Sequence, residues 1–231
     1  MPNAPRFHVG FLVFPGVQPL DLVGPFDVFA AFDSLAQHLV WKDRQPVIAA
    51  GGLVLQPTTT FADCPPLDLL CVPGGAGVEP LLEDPQTLAF IAQQARSTRF
   101  VTSVCTGALL LGAAGLLQGR RATTHWAYHE LLAAFGAEPV TERVVVDGNL
   151  ITGGGVTAGI DFALAVAGQW FGESQAQRVQ LAIEYAPAPP FNAGHPATAP
   201  APVLAAQREA VAASVARRGQ AVARAAANLN R

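Results

Sequence analysis

The chain has 231 residues, 51% of them apolar and 13% charged, with a net charge of −3, enough for one domain with a full core. That balance offers no basic face and argues against nucleic acid as a partner. Three cysteines, an odd number without metal-ligand spacing, argue against a disulfide framework and for a reducing, cytoplasmic setting.

Residues 7–14 form a continuous apolar run closed by Pro15-Gly16, the pattern of a parallel strand covered on both faces. Residues 20–32 read as a helix with Gly24-Pro25 inside it. A strand follows at 37–42, then 47–50 and 53–55 around Gly51-Gly52, a hairpin signal. Residues 67–72 are a buried strand closed by Pro73-Gly74-Gly75, and Asp84 with Pro85 starts a helix over 85–97.

Residues 100–119 carry no charge; they open as a β-branched run and end as a helix former. Further helices are expected at 125–135, capped by Thr124 and ended by Gly136, and at 157–171 and 174–184. Asp147-Gly148 marks a second hairpin, and residues 116–121 read as a loop. The alternation predicts an α/β fold with a mostly parallel central sheet and helices on both faces. Residues 1–185 make up this domain. In residues 186–231 a Pro/Ala-rich arm leads to an amphipathic terminal helix with Leu204, Val211, Val215, Val222 and Leu229 at helical spacing and Arg208, Arg217, Arg218 and Arg224 elsewhere. That helix packs on the same domain or on a partner copy. Prolines and aspartates interrupt residues 7–32, and a strand-turn-helix break divides 100–119, so neither stretch reads as a membrane span.

Cys105 stands where strand becomes helix, followed by Thr106 and Gly107. A cysteine on such an elbow faces the free N–H groups and positive end of the next helix, the setting of a nucleophile. The N–H of Thr106, with one from Gly74 or Gly75, is placed to hold a developing anion. Cys71 and Cys64, in or near apolar runs, read as inert. No histidine follows Cys105, so its proton-handling partner is sought among Asp21, Asp27, His125, His129 and Glu130. His125 and His129 have zinc-ligand spacing, but Trp126 stands where glutamate is needed and no third ligand is evident. Asp21 lies in an apolar setting after the first strand. It is either a helix-start carboxylate or a desolvated acid able to pass a proton to substrate.

Asp21 after the first strand, P-G-G at 73–75, V-T-S-V-C-T-G at 101–107, A-T-T-H-W at 122–126 and T-G-G-G-V-T-A-G-I-D at 152–161 together resemble the DJ-1/PfpI superfamily over nearly the whole chain. Gln18 to Pro25, Arg121 to Leu132 and Glu184 to Gly194 are most similar to its bacterial isocyanide hydratases. The resemblance implies a flavodoxin-like sandwich, a homodimer, no cofactor or metal, and hydration of a small isocyanide to an N-substituted formamide through a cysteine-bound thioimidate. It makes Cys105 the nucleophile, Asp21 the acid/base group and Thr106 its neighbour in the pocket. The Gly154–Val156 turn would lead into a helix packed against the nucleophile.

Other superfamily activities, glyoxalase-like or peptidase, and a thiol redox sensor are the alternatives. Thr106 stands where the peptidases place a histidine. AraC-type regulators share A-T-T-H-W but need a helix-turn-helix domain, which one amphipathic helix does not supply.

Overall fold

The computed structural model describes residues 7–229; residues 1–6 and 230–231, the outer ends of the expected domain and terminal helix, lie outside the described residues. In chain order the elements are β1 (Phe7–Leu12), α1 (Pro19–Ala30), β2 (Leu35–Trp41), β3 (Val47–Ile48), β4 (Val54–Leu55), β5 (Thr59–Thr60), β6 (Leu69–Val72), α2 (Val78–Leu81), α3 (Pro85–Ala95), β7 (Phe100–Val104) and α4 (Gly107–Ala113). Then come β8 (Arg121–Ala122), 3-10 turns over Trp126–Phe135, β9 (Glu138–Pro139), β10 (Val144–Asp147), β11 (Leu150–Gly153), α5 (Ala158–Phe171), α6 (Glu173–Ala182) and α7 (Ala201–Leu229).

Seven strands form one sheet in the order β10-β11-β7-β6-β1-β2-β5. All its pairings are parallel except β10 with β11. Every residue of β6 and β7 is buried, Thr102 and Ser103 of β7 included, as expected of strands covered on both faces. α1 and α5 pack together on one face, α3 and α4 on the other, giving the expected flavodoxin-like sandwich. The register fixes what emerges at the C-terminal edge. Val72 pairs with Ser103, and Gly153 with Val104. Pro73, Cys105 and Gly154 therefore leave adjacent strands side by side, where ligands bind in open α/β sheets. A bridge between Val17 and Gly75 brings the start of α1 to the same place.

Local chemistry accounts for most boundaries. The Asp84 carboxylate accepts from Thr87 N–H at 2.9 Å and caps α3. Both glycine-containing hairpins form, β3–β4 and β10–β11. The expected α-helix at 125–135 is instead a run of 3-10 turns. Thr124 does not cap it, because its hydroxyl is engaged elsewhere; His125 Nδ1 accepts from Ala127 N–H instead. The loop expected at 116–121 ends in β8, which pairs with β9. β5, β8 and β9 have two residues each, too few to show a period.

The second half of α7 lies on this chain. Ala221, Val222 and Ala225 are buried against α4 and the 3-10 turns. Among the described residues no helix is long and apolar enough to cross a membrane.

α1 and α5 approach closely because Gly159 faces Pro25, so that a Cβ on Gly159 would lie 3.0 Å from Pro25 Cδ. Gly159→Val should push α1, which carries Asp21, away from α5. The expected cost is about 1–3 kcal/mol, read as a lower urea midpoint at unchanged m-value.

Candidate active site

Cys105 has φ = 55°, a left-handed conformation that a non-glycine residue adopts only when the surroundings enforce it. Its N–H donates to Gly153 O (3.1 Å) and its carbonyl accepts from Thr124 Oγ1 (2.6 Å). The two backbone groups are thus held by the end of β11 and by the segment after β8. The sulfur is turned off the strand toward α1, and the Thr106 N–H points at it.

Asp21, in the first turn of α1, has no exposed surface. Its Oδ2 accepts from Gly74 N–H at 2.8 Å, and the Cys105 thiol acts on the same carboxyl. Oδ1 is buried without a hydrogen-bond partner. Burial raises the Asp21 carboxyl from 3.8 to about 7, against the opposing pull of Gly74 N–H and Cys105. The Cys105 thiol is pushed up by burial and by the Asp21 charge, and drawn down by the Thr106 N–H and by Arg218. Two acids in contact in a dry site do not both ionise. Below about pH 7 both groups keep their protons; above it the pair holds one proton, shared between thiol and carboxyl.

The Pro73–Gly75 turn fixes this geometry. Gly74 O accepts from Gln18 N–H at 2.9 Å, and Gly75 N–H donates to Thr106 Oγ1 at 3.1 Å. A Cβ on Gly74 would sit 2.5 Å from Thr106 N and 2.9 Å from Asp21 Oδ2, so only glycine fits between acid and nucleophile. The N–H groups of Gly74 and Gly75, expected as anion donors, are therefore taken up in orienting Asp21 and Thr106. The backbone N–H left facing the sulfur is that of Thr106.

A cavity of about 710 Å³ opens beside this cluster, a size suited to a small molecule. Its wall includes Thr124, which holds Cys105, together with Trp126, His129, Gly154 and Val156. The arm, through Gly194–Pro196, and Arg208 of α7 border it. Arg143 anchors this rim, bonding Asp161 Oδ2 and Thr157 Oγ1, while Tyr185 at the start of the arm donates to the same Asp161 oxygen at 2.9 Å.

The DJ-1/PfpI family model matches residues 8–169. The chain belongs to the DJ-1/PfpI family. Among curated DJ-1/PfpI relatives, the isonitrile hydratase of Pseudomonas putida is 62% identical over 96% of this chain and 98% of its own. The HTH-type transcriptional regulator CdhR of Pseudomonas aeruginosa is 32% identical over 73% of this chain and 52% of its own. The crystal structure of a ThiJ/PfpI family protein from Pseudomonas syringae superposes with a TM-score of 0.92 at 43% identity, covering 96% of this chain and 92% of that one.

Asp21, Gly74, Gly75, Cys105 and Thr106 meet in one cluster, and Gly154 and Val156 line the cavity beside it. Of the other proton-handling candidates, Asp27 and Glu130 are exposed. His125 Nδ1 is a cap, and His129 Nε2 is buried without a partner. Among the described residues no three metal-ligating side chains come together. Two contributors escaped the sequence reading. Thr124 looked like a helix cap and instead holds Cys105 O. Arg218 was placed off the apolar stripe of the terminal helix, yet it is 3% exposed. It falls three residues after Val215 and four before Val222, a spacing that puts it on their face.

The raised Asp21 value has a consequence for stability. The unfolded chain releases this proton near 3.8, whereas the folded one keeps it up to about 7. The contribution is therefore fully present below about pH 4 and is lost as pH rises through about 7. From 3.8 to about 7, at about 1.4 kcal/mol per pH unit, the loss is on the order of 4 kcal/mol. Asp21→Asn should match wild type in urea unfolding near pH 4 and exceed it by a few kcal/mol near pH 8.

Proposed function

We propose that this chain is an isocyanide hydratase, converting an isocyanide and water to an N-substituted formamide. The buried Asp21 carboxyl, its Oδ1 unpartnered and set against Cys105 on a strained elbow, carries the mechanism. The substrate class rests on the 62% identity to the Pseudomonas putida isonitrile hydratase over nearly both full lengths.

An isocyanide carbon must accept both a nucleophile and a proton. Cys105 thiolate attacks it while the protonated Asp21 delivers its proton to the same carbon, giving an enzyme-bound thioimidate and an Asp21 carboxylate. That carboxylate takes a proton from water as the hydroxyl adds to the thioimidate carbon, then returns it to the substrate nitrogen. Asp21 finally removes the hydroxyl proton as the carbonyl forms and the thiolate leaves. The pair is restored as carboxylic acid and thiolate, and the water has supplied one hydrogen to nitrogen and one to Asp21. Covalent capture divides a difficult hydration into two easier steps. Thr106 N–H supports the sulfur at the start and end of the cycle. Gly154 and Val156 border the space for the isocyanide substituent. No group in this scheme is a metal or an organic cofactor.

The working form is a homodimer in the cytoplasm, residues 1–185 being the catalytic domain and residues 186–231 an arm and helix that close its site. Leu20, Val23, Ile48, Leu53 and Val54 are exposed around the start of α1 and the β3–β4 hairpin. Hydrogen bonds from Gly16 N–H to Ile48 O and from Ala50 N–H to Val17 O hold the two together. Such a patch supports a second copy as its cover. Three unpaired cysteines suit a reducing compartment.

With an alkyl or aryl isocyanide, Cys105→Ala should form no formamide, and Cys105→Ser should lose at least about a thousandfold in rate. Undiminished turnover in either would remove Cys105 from the reaction. Asp21→Asn should fold and lose about a hundredfold or more in kcat, and mass spectrometry should find the intact isocyanide added to wild-type protein on quenching. The double substitution Ile48→Asp, Val54→Asp should turn a dimer into a monomer in light scattering.

A further inference from the structure

We infer that Arg218, on α7, is a positioning residue for this reaction: it holds the Gly74–Gly75 turn in place and supplies the buried positive charge that balances the Asp21–Cys105 pair. The inference rests on the nucleophilic role of Cys105. Among the described residues Arg218 is the one lysine or arginine that is buried. One of its guanidinium nitrogens donates to Gly75 O at 3.0 Å. The guanidinium also lies over the Tyr128 ring, 4.4 Å from the centroid, while Tyr128 Oη bonds Ser214 of the same helix at 2.9 Å. The side chain is thus fixed from two sides, by a ring on the 3-10 turns and by a carbonyl of the catalytic turn.

That carbonyl completes a set. Asp21 accepts from Gly74 N–H, Gln18 N–H donates to Gly74 O, Thr106 accepts from Gly75 N–H, and Arg218 donates to Gly75 O. Arg218 is the member of this set that comes from outside the matched family region, residues 8–169. The Pseudomonas putida and Pseudomonas syringae relatives each match 96% of the chain, so their likeness extends into α7.

The charge argument is independent of the hydrogen bond. Arg218 Nε is buried without a partner, and no carboxylate within ion-pair distance of its guanidinium is found among the described residues, whereas Arg217 and Arg224 of the same helix pair with Glu79 and Glu83. An uncompensated buried cation is costly. Once it has released the first of its two protons, the Asp21–Cys105 pair carries one negative charge, and Arg218 acts electrostatically on Cys105. Cation and acid pair together leave the site near neutrality. As the thioimidate forms that negative charge passes to Asp21, and it returns to sulfur when the formamide leaves. A fixed cation behind the turn serves both halves of the cycle without touching substrate.

The ionisable groups facing Cys105 are Asp21 on α1 and Arg218 on α7; Cys71 on β6 faces Asp21, His125 and Tyr128 face Arg218, and Glu79 on α2 is occupied by Arg217. Arg218→Met, Arg218→Lys and the control Arg224→Met should be compared in kcat and KM for isocyanide hydration, in the pH midpoint of Cys105 alkylation by iodoacetamide, and in thermal melting. Removing the cation disfavours the thiolate, so Arg218→Met should move the alkylation midpoint upward by roughly half to one pH unit. It should also lower kcat about tenfold or more, with KM changed less than about threefold. Arg218→Lys keeps the charge but cannot both span the turn and stack on Tyr128; it should restore the midpoint and only part of kcat. Arg224→Met should match wild type in both readouts. A folded Arg218→Met with wild-type kcat and midpoint, or one in which KM rises at constant kcat, overturns the inference. Should Arg218→Met not fold, Arg218→Lys decides: reduced kcat at an unshifted midpoint supports the role, and wild-type kcat or a shifted midpoint refutes it. Alkylation needs no isocyanide, so failure of this inference is distinguishable from failure of the hydratase reading.

Discussion

A carboxyl and a thiol, both buried, lie against each other at the C-terminal edge of a parallel sheet, and the surrounding architecture keeps them from both being charged. In water an aspartate gives up its proton far below neutrality, and a thiol keeps its own until well above. Burial drives both groups toward their neutral forms, and proximity forbids both being charged. The result is an acid still protonated near neutral pH beside a sulfur that can become a thiolate only as a partner of that acid. An isocyanide carbon, which needs a nucleophile and a proton at one atom, matches that pairing.

The arrangement is held by backbone as much as by side chains. Parallel register aligns the ends of β6, β7 and β11, so that the Pro73–Gly75 turn, Cys105 and Gly154 emerge together. Each side of Cys105 is tied to a neighbouring segment, which sustains its positive φ. Gly74 is small enough to let the carboxyl and the nucleophile elbow approach from opposite sides. The cost of such a site is visible in Asp21, whose burial opposes stability above neutral pH.

Much of this was legible in the residues. Uncharged, largely apolar runs at β1, β6 and β7 marked strands buried on both faces, and the turn after each marked one shared edge. Cys105 was legible because a strand run turned into a helix former at a cysteine. Asp21 was legible because an acid in an apolar run demands an explanation. The functions of Gly74 and Gly75 were only half visible: glycine announces close approach but does not say which atoms approach, and their N–H groups proved to be committed to Asp21 and Thr106. The 3-10 turns at Trp126–Phe135 were hidden because the Thr124 hydroxyl had two possible uses, a local cap and a distant carbonyl, and only tertiary structure chose between them. Arg218 was hidden by its charge, which marks a solvated face in an amphipathic helix unless its heptad spacing to Val211 is weighed more heavily.

The hydrogen bond between Gly75 and Arg218 joins positions 143 residues apart. The parallel strands and the Cys105 elbow are all present in the chain by residue 153, whereas α7 begins only at residue 201. Because long-range closures form late and domains assemble as their sequence emerges during synthesis, sheet assembly and site completion are separate events in time. A growing chain thus carries its buried thiol for some while before the helix that finishes the site arrives. The contact from α7 to the Pro73–Gly75 turn is therefore made after the sheet that bears the turn, not together with it.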